Sequence, residues 1–297
     1  MRIDKPVRNL SRLSGAALLA AGLSLLPATA ALAAGKVSVL YAGSLVNLME
    51  HGVGPAFDKG SGDTFQGFAG GSSGLANQIK GKLRQGDVFV SASPKVNDGL
   101  MGTANGDWVS WYITFAQSPL VIGYNASSKF AADLKSKPWY QVLQEPGIKI
   151  GRTDPKLDPK GALTVTLMKQ AETFYKSSGL SEKVIGAPDN PAQVLPEETL
   201  VGRLQSGQLD VGFFYSTETA DAKIPALTLP PEIAPKAVYT VAILHNAPNA
   251  DGADKFVAFL LSADGQSVMK QHGLGVQKLT LSGDAAGVPK DVQALLK

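Results

Sequence analysis

The sequence predicts an α/β fold with parallel strands, built as two lobes around a cleft. Three observations carry this expectation. Apolar strand patterns alternate with helix patterns along the chain. Two strand–Gly/Ser–helix units follow one another near the start, and a late apolar strand reads as a return to those first units.

The first 34 residues read as a secretory signal peptide and not as part of the fold. Arg2, Lys5, Arg8 and Arg12 form a basic start, Ala16 to Leu26 is an apolar core, and Ala31-Leu32-Ala33 is a small-residue cleavage site. The apolar run is too short to span a membrane. No cysteine follows it, so no lipid anchor is expected, and the mature chain is expected free in an exported compartment, most simply a Gram-negative periplasm.

Charge and composition then exclude several classes. The chain carries 28 basic and 25 acidic residues and a net charge of +3. Its leader holds four of the basic residues against Asp4, so 24 of each sign remain. That balance gives no reason to expect nucleic acid or an anionic membrane as partner. With no cysteine, disulfides, thiolate metal sites and a cysteine nucleophile are excluded. The three histidines, His51, His245 and His272, are too dispersed to suggest a histidine metal site.

In chain order, Val37 to Ala42 is a strand running into Gly43-Ser44 and then an apolar helix. Val53 to Gly62 reads as a helix end and a loop. Thr64 to Phe68 is a strand feeding Gly70-Gly71-Ser72-Ser73-Gly74, after which Leu75, Ile79 and Leu83 recur on one helical face. Gly86 to Ser93 is a buried strand, and Trp108 to Phe115 and Pro119 to Tyr124 are two more. The chain is expected to cross to the second lobe around Ala116 to Pro119. There Ile148 to Pro155 is a strand leading to a turn, Leu163 to Tyr175 a helix, Thr199 to Leu204 a helix, and Asp210 to Tyr215 a buried strand. Ala237 to Leu244 is the returning strand, followed by helices over Ala253–Leu261 and Gly265–Gln271. The expected division is 35–117 with 238–297 as the first lobe and 118–237 as the second.

The two Gly/Ser turns are the candidate site. A helix start exposes free N–H donors, glycine lets a ligand approach, and serine adds a hydroxyl, which together suit an oxyanion. Each serine alone also reads as an ordinary helix cap. Gly70 to Gly74 further matches G-x-S-x-G between a strand and a helix, so a secreted serine hydrolase using Ser72 with His245 or His272 is the competing reading. Asp154, Asp158, Glu197 and Glu198 lie near turns of the second lobe, where solvated carboxylates are the ordinary case. Tyr215, at a strand end, is by default a core aromatic.

Taken together, Ala42-Gly43-Ser44-Leu45, Gly71-Ser72 with Leu75 and Gln78-Ile79, Asp87 to Ala92, and Asp210 to Tyr215 resemble the periplasmic molybdate/tungstate-binding proteins of ABC importers. The likeness extends through Tyr239 to Leu244 and Phe259 to Gln266. It implies a type II periplasmic-binding-protein fold, no catalysis and no cofactor. It also implies a molybdate or tungstate cargo, an ABC permease in the inner membrane as partner, and a monomer. Carried over by position, Ser44, Ser72 and Tyr215 would donate to the oxyanion. Thr153 to Gly161 resembles the archaeal-type branch, in which an Asp and a Glu ligate the metal. Asp158 and Glu197 match those ligands, with Glu198 as the alternative to Glu197. Sulfate or another small anion is the alternative cargo.

Overall fold

Strand β1 (Lys36–Ala42) is followed by β2 (Thr64–Gly70), β3 (Val88–Ser91), β4 (Trp111–Tyr124) and β5 (Ile150–Gly151). Then come β6 (Val211–Tyr215), β7 (Ala226–Thr228), β8 (Lys236–Ile243) and β9 (Gly275–Gly283). These are the strands of a computed structural model that describes residues 35–296. The expected leader lies outside the described residues. Among them, no helix is long and apolar enough to cross a membrane.

The inner strands are covered on both faces, which is why β1 and β3 are almost unbroken runs of Val, Leu, Phe and Tyr. Val37, Val39, Leu40, Val88, Phe89 and Val90 are all buried. Each such side chain contributes roughly 2 kcal/mol on burial, and the sum lets the fold carry the buried charges described below.

The strand order is β2-β1-β3-β8-β4-β6-β5, with β7 and β9 also pairing with β4. β1 runs parallel to β2 and β3, and β5 parallel to β6. The expectation of parallel sheets fails elsewhere. β8 is antiparallel to β3 and β4, and β4 is antiparallel to β6, β7 and β9. A parallel crossover needs an intervening helix, whereas β8 follows β7 with no helix between them and runs back between β3 and β4.

β4 unites what the sequence presents as two strands. Its first half, to Pro119, pairs with β8 and β9, and its second half, from Leu120, pairs with β6 and β7. The register shifts between Thr114 and Ala116, where a bulge bends the strand. The chain therefore passes from one half of the sheet to the other without leaving β4.

Two helices differ from expectation. Residues expected as helix end and loop form a helix, Gly54–Ser61, with Pro55 in its first turn and Gly62 closing it at φ 73°. Proline is well tolerated at a helix start and glycine just past its end, so the breakers mark the two ends and not a loop. Phe57 on this helix meets Phe256 edge-on at 5.2 Å. The helix Ser72–Lys80 buries Leu75 and Ile79 but stops short of Leu83, which is 80% exposed. Gly81 and Lys82, the latter at φ 55°, turn the chain away before the third leucine of the stripe can reach the core.

Candidate functional site

The parallel register of β1 and β2 sets Ala42 beside Gly70. Both Gly/Ser turns therefore leave the same edge of the sheet side by side. Gly43–Leu45 is a single 3-10 turn, and Gly71 is the extended residue before the helix Ser72–Lys80. Both serines are buried. Ser72 Oγ accepts the Ala92 N–H at 3.1 Å, which leaves its own proton to give. Ser44 Oγ lies 3.0 Å from the Tyr239 hydroxyl.

The other half of the molecule supplies acids to meet these turns. Asp158 caps the helix Pro159–Phe174, and Pro159 occupies the first helical position. Its Oδ1 accepts from the Lys160 N–H at 2.7 Å and from the Thr153 hydroxyl at 3.0 Å. Glu197 opens the short turn Glu197–Thr199 and is buried, whereas Glu198 next to it is exposed. Tyr215 ends β6, and its ring meets that of Tyr239 edge-on at 6.2 Å.

The two sets touch through the glycines. A Cβ on Gly43 would overlap Glu197 Oε2. A Cβ on Gly71 would sit 2.5 Å from the Leu157 carbonyl oxygen and 3.1 Å from Asp158 Oδ2. The Gly74 N–H donates to that same Leu157 carbonyl at 2.8 Å. The structure thus gathers Ser44, Ser72, Asp158, Glu197 and Tyr215 into one place. Glu197 also lines two adjoining cavities. One, of about 310 Å³, reaches Ser44, and the other, of about 420 Å³, reaches Gly71, Thr153 and Asp158.

Lys160 and Glu218 belong to the site and were not read from the sequence. The Lys160 ammonium is fully buried and lies 2.7 Å from Glu197 Oε1 and 2.8 Å from Glu218 Oε1. Glu218 Oε2 in turn accepts the Tyr215 N–H at 2.7 Å. One signal was present: Tyr215-Ser216-Thr217-Glu218 places a glutamate three residues past a helix cap, where it reaches back to the cap N–H. Nothing local marks Lys160, since its partners lie far along the chain. Tyr239, partner of Ser44, was read only as part of a strand.

Two buried polar atoms here have no hydrogen-bond partner, Glu197 Oε2 and the Tyr215 hydroxyl. Leaving such groups unpaired costs about 1–3 kcal/mol each. They mark where the site has bonding capacity to offer.

Burial pushes Asp158, Glu197 and Glu218 above the usual carboxylate range, against the pull of Lys160. Burial alone would lower Lys160, but Glu197, Glu218 and Asp158 outweigh it and hold the amine above its usual range. One ammonium facing three carboxylates leaves the group short of positive charge, so the acids retain protons to higher pH than exposed ones do. Burial also raises Tyr215 and Tyr239, with the nearby carboxylates adding to the effect, so both phenols remain protonated donors. The sign for stability follows. Carboxylates raised in the fold stabilise it below their unfolded pKa and lose that contribution as pH rises through the folded values. The ligand-free protein is expected to melt at a higher temperature near pH 5 than near pH 8. A melting temperature that rises across that interval in calorimetry would contradict this assignment of charge.

The hydrolase reading does not survive the geometry. His245 Nδ1 faces Asp107 at 3.7 Å, and His272 Nδ1 faces Asp221 at 3.0 Å. Neither histidine hydrogen-bonds Ser72, whose hydroxyl is buried against the Ala92 N–H. A nucleophile needs a base to take its proton, and among the described residues no histidine or carboxylate is hydrogen-bonded to Ser72.

Comparison with known proteins places this geometry in context. The model of a family described as bacterial extracellular solute-binding protein matches residues 37–275. A protein of Petrotoga mobilis named as a solute-binding protein is 29% identical over 262 residues, covering 77% of this chain and 80% of its own. The molybdate/tungstate-binding protein WtpA of Pyrococcus abyssi is 26% identical over 281 residues, covering 79% and 80%. The periplasmic molybdate-binding protein of Azotobacter vinelandii superposes with a TM-score of 0.64 at 19% identity, over 81% of this chain and 99% of that one. The fold is therefore the type II periplasmic-binding-protein fold, two α/β lobes with the ligand cleft between them.

Proposed function

Because the chain belongs to the family of bacterial extracellular solute-binding proteins, we propose that its cleft captures molybdate or tungstate and delivers it to the permease of an ABC importer. The family is one of solute carriers and not of catalysts. It acts outside the cytoplasm; within that range we assign this chain to the periplasm, with residues 1–34 as its export signal, working as a monomer. Residues 35–117 and 238–297 form one lobe in this reading and 118–237 the other. The names of relatives such as WtpA support the choice of cargo.

One observation carries the reading. Glu197 Oε2 is buried without a partner, directly against the glycine of the first Gly/Ser turn. A carboxylate facing an oxyanion is repulsive unless it carries a proton to donate or bonds to the central atom, and the second course is open only to some anions. Molybdenum and tungsten accept two further oxygen ligands, and sulfur in sulfate does not. Glu197 and Asp158 would supply those ligands, while Ser44, Ser72 and Tyr215 donate to the oxo groups. Burial strengthens each of these bonds. A ligand held by groups of both lobes favours the closed form by its differential contacts.

Isothermal titration of residues 35–297 with tungstate, molybdate and sulfate in one buffer tests this. Heat from the first two with sulfate silent is the expected result. Tight sulfate binding would replace the cargo, and silence from all three would overturn the oxyanion reading.

A further inference from the structure

The two acids assigned to the cargo are organised by a single helix start. Asp158 is the cap of the helix Pro159–Phe174, and Lys160 lies in its first turn. Asp158 places itself by accepting from the Lys160 N–H and the Thr153 hydroxyl through Oδ1. Lys160 places the other acid. Its ammonium, 1% exposed, holds Glu197 Oε1 at 2.7 Å and the two oxygens of Glu218 at 2.8 and 2.9 Å. Glu218 is itself fixed to the end of β6 through the Tyr215 N–H. A rigid chain of contacts thus runs from the backbone of β6 through Glu218 and Lys160 to Glu197. It occupies Oε1 and leaves Oε2 against Gly43.

We propose that Lys160 is a positioning and specificity-determining residue that makes Glu197 a one-oxygen donor. In doing so it sets the preference of the site for oxyanions whose central atom can add oxygen ligands. The proposal rests on the oxyanion reading given above. Without the clamp, Glu197 has two equivalent oxygens, and the carboxylate is free to rotate away from the metal. Two added ligand positions on the metal would then no longer be filled by one oxygen from each acid. The ammonium also offsets one of three negative charges that a dianion would otherwise meet.

Removing Lys160 alone would strand two buried carboxylates and endanger folding. The test therefore uses Lys160→Met with Glu218→Gln, which removes one charge of each sign. The double variant is expected to fold with a melting temperature near that of the parent. Its tungstate affinity falls at least about thirtyfold, its response to sulfate is unchanged, and the tungsten L3-edge spectrum of bound tungstate shows fewer oxygen neighbours than the parent complex. Parent-like affinity and spectrum in the folded double variant would overturn the proposal, because neutralising the pair would then suffice. Should the double variant not fold, the parent complex decides: its tungsten L3-edge spectrum is expected to show one oxygen from each acid added to the oxo groups, and a spectrum in which Glu197 gives both oxygens or none overturns the proposal. If the parent protein itself gives no heat with tungstate or molybdate, the cargo assignment fails, an outcome distinct from parental binding that survives loss of the clamp.

Discussion

Glu197→Gln is expected to lower tungstate affinity roughly a hundredfold, on the order of 3 kcal/mol. The reason lies in how the amide must orient. Lys160 offers only donors to the position held by Glu197 Oε1. The amide oxygen therefore turns to Lys160, and the amide nitrogen faces Gly43, where the carboxylate has its free oxygen. An N–H₂ group cannot ligate a metal centre there. Asp158→Asn follows the same logic, since Oδ1 accepts from Lys160 and Thr153, and the nitrogen falls toward Gly71. Titration calorimetry reads both, with sulfate as the comparison that should not change. If both amides bind tungstate like the parent, hydrogen bonding alone holds the anion and the carboxylates are not ligands.

Gly71→Ala is expected to abolish tight binding through closure rather than through chemistry. The added Cβ would stand 2.5 Å from the Leu157 carbonyl, a backbone atom that cannot swing aside. Leu157 would have to withdraw, breaking the Gly74 N–H bond to the same carbonyl and carrying Asp158 away from the first-lobe turn. Backbone conformation is no obstacle, because Gly71 lies at φ −61°, where alanine is comfortable. The open protein should therefore keep its melting temperature while tungstate affinity falls by about two orders of magnitude and scattering shows no compaction on adding ligand. Gly74→Ala is the matched control, since its Cβ would sit at 3.6 Å from that carbonyl, an ordinary contact. An affinity loss in Gly74→Ala equal to that of Gly71→Ala would mean that helix propensity, and not the close approach, governs the effect.

What could be read from the sequence follows from range. The turns at Gly43-Ser44 and Gly71-Ser72 are local patterns, and a strand ending in Gly/Ser before a helix is visible in any short window. Asp158 and Glu197 were placed by likeness to a family and not by their neighbourhood, since an acid near a turn is common. Lys160 could not be seen, because what makes it unusual is contact with residues 37 and 58 positions away. Its composition class, a lysine after proline, reads as solvated surface. Leu83 illustrates the opposite failure. Its spacing from Ile79 continues the helical stripe, but the positive φ at Lys82 ends the helix first, and a period has no knowledge of a turn. The direction of β8 was equally hidden, since a strand pattern is the same read parallel or antiparallel.

The placement of β8 has a consequence for how the chain reaches its native state. β3 is edged on one side by β1, but its other neighbour is a strand that follows nearly the whole of the second lobe. β4 likewise awaits β8 and β9 along its first half. A chain emerging from its amino end therefore cannot finish its first sheet until the last quarter has appeared. Pairings of such long sequence separation are slow to form. On the export proposed above, and if the chain crosses unfolded, late completion would keep it loose until it is across. A circular permutant that joins the original ends and opens the chain in the 118–237 segment would make the first-lobe pairings local. It should refold faster at similar stability, and be exported less efficiently for the same reason.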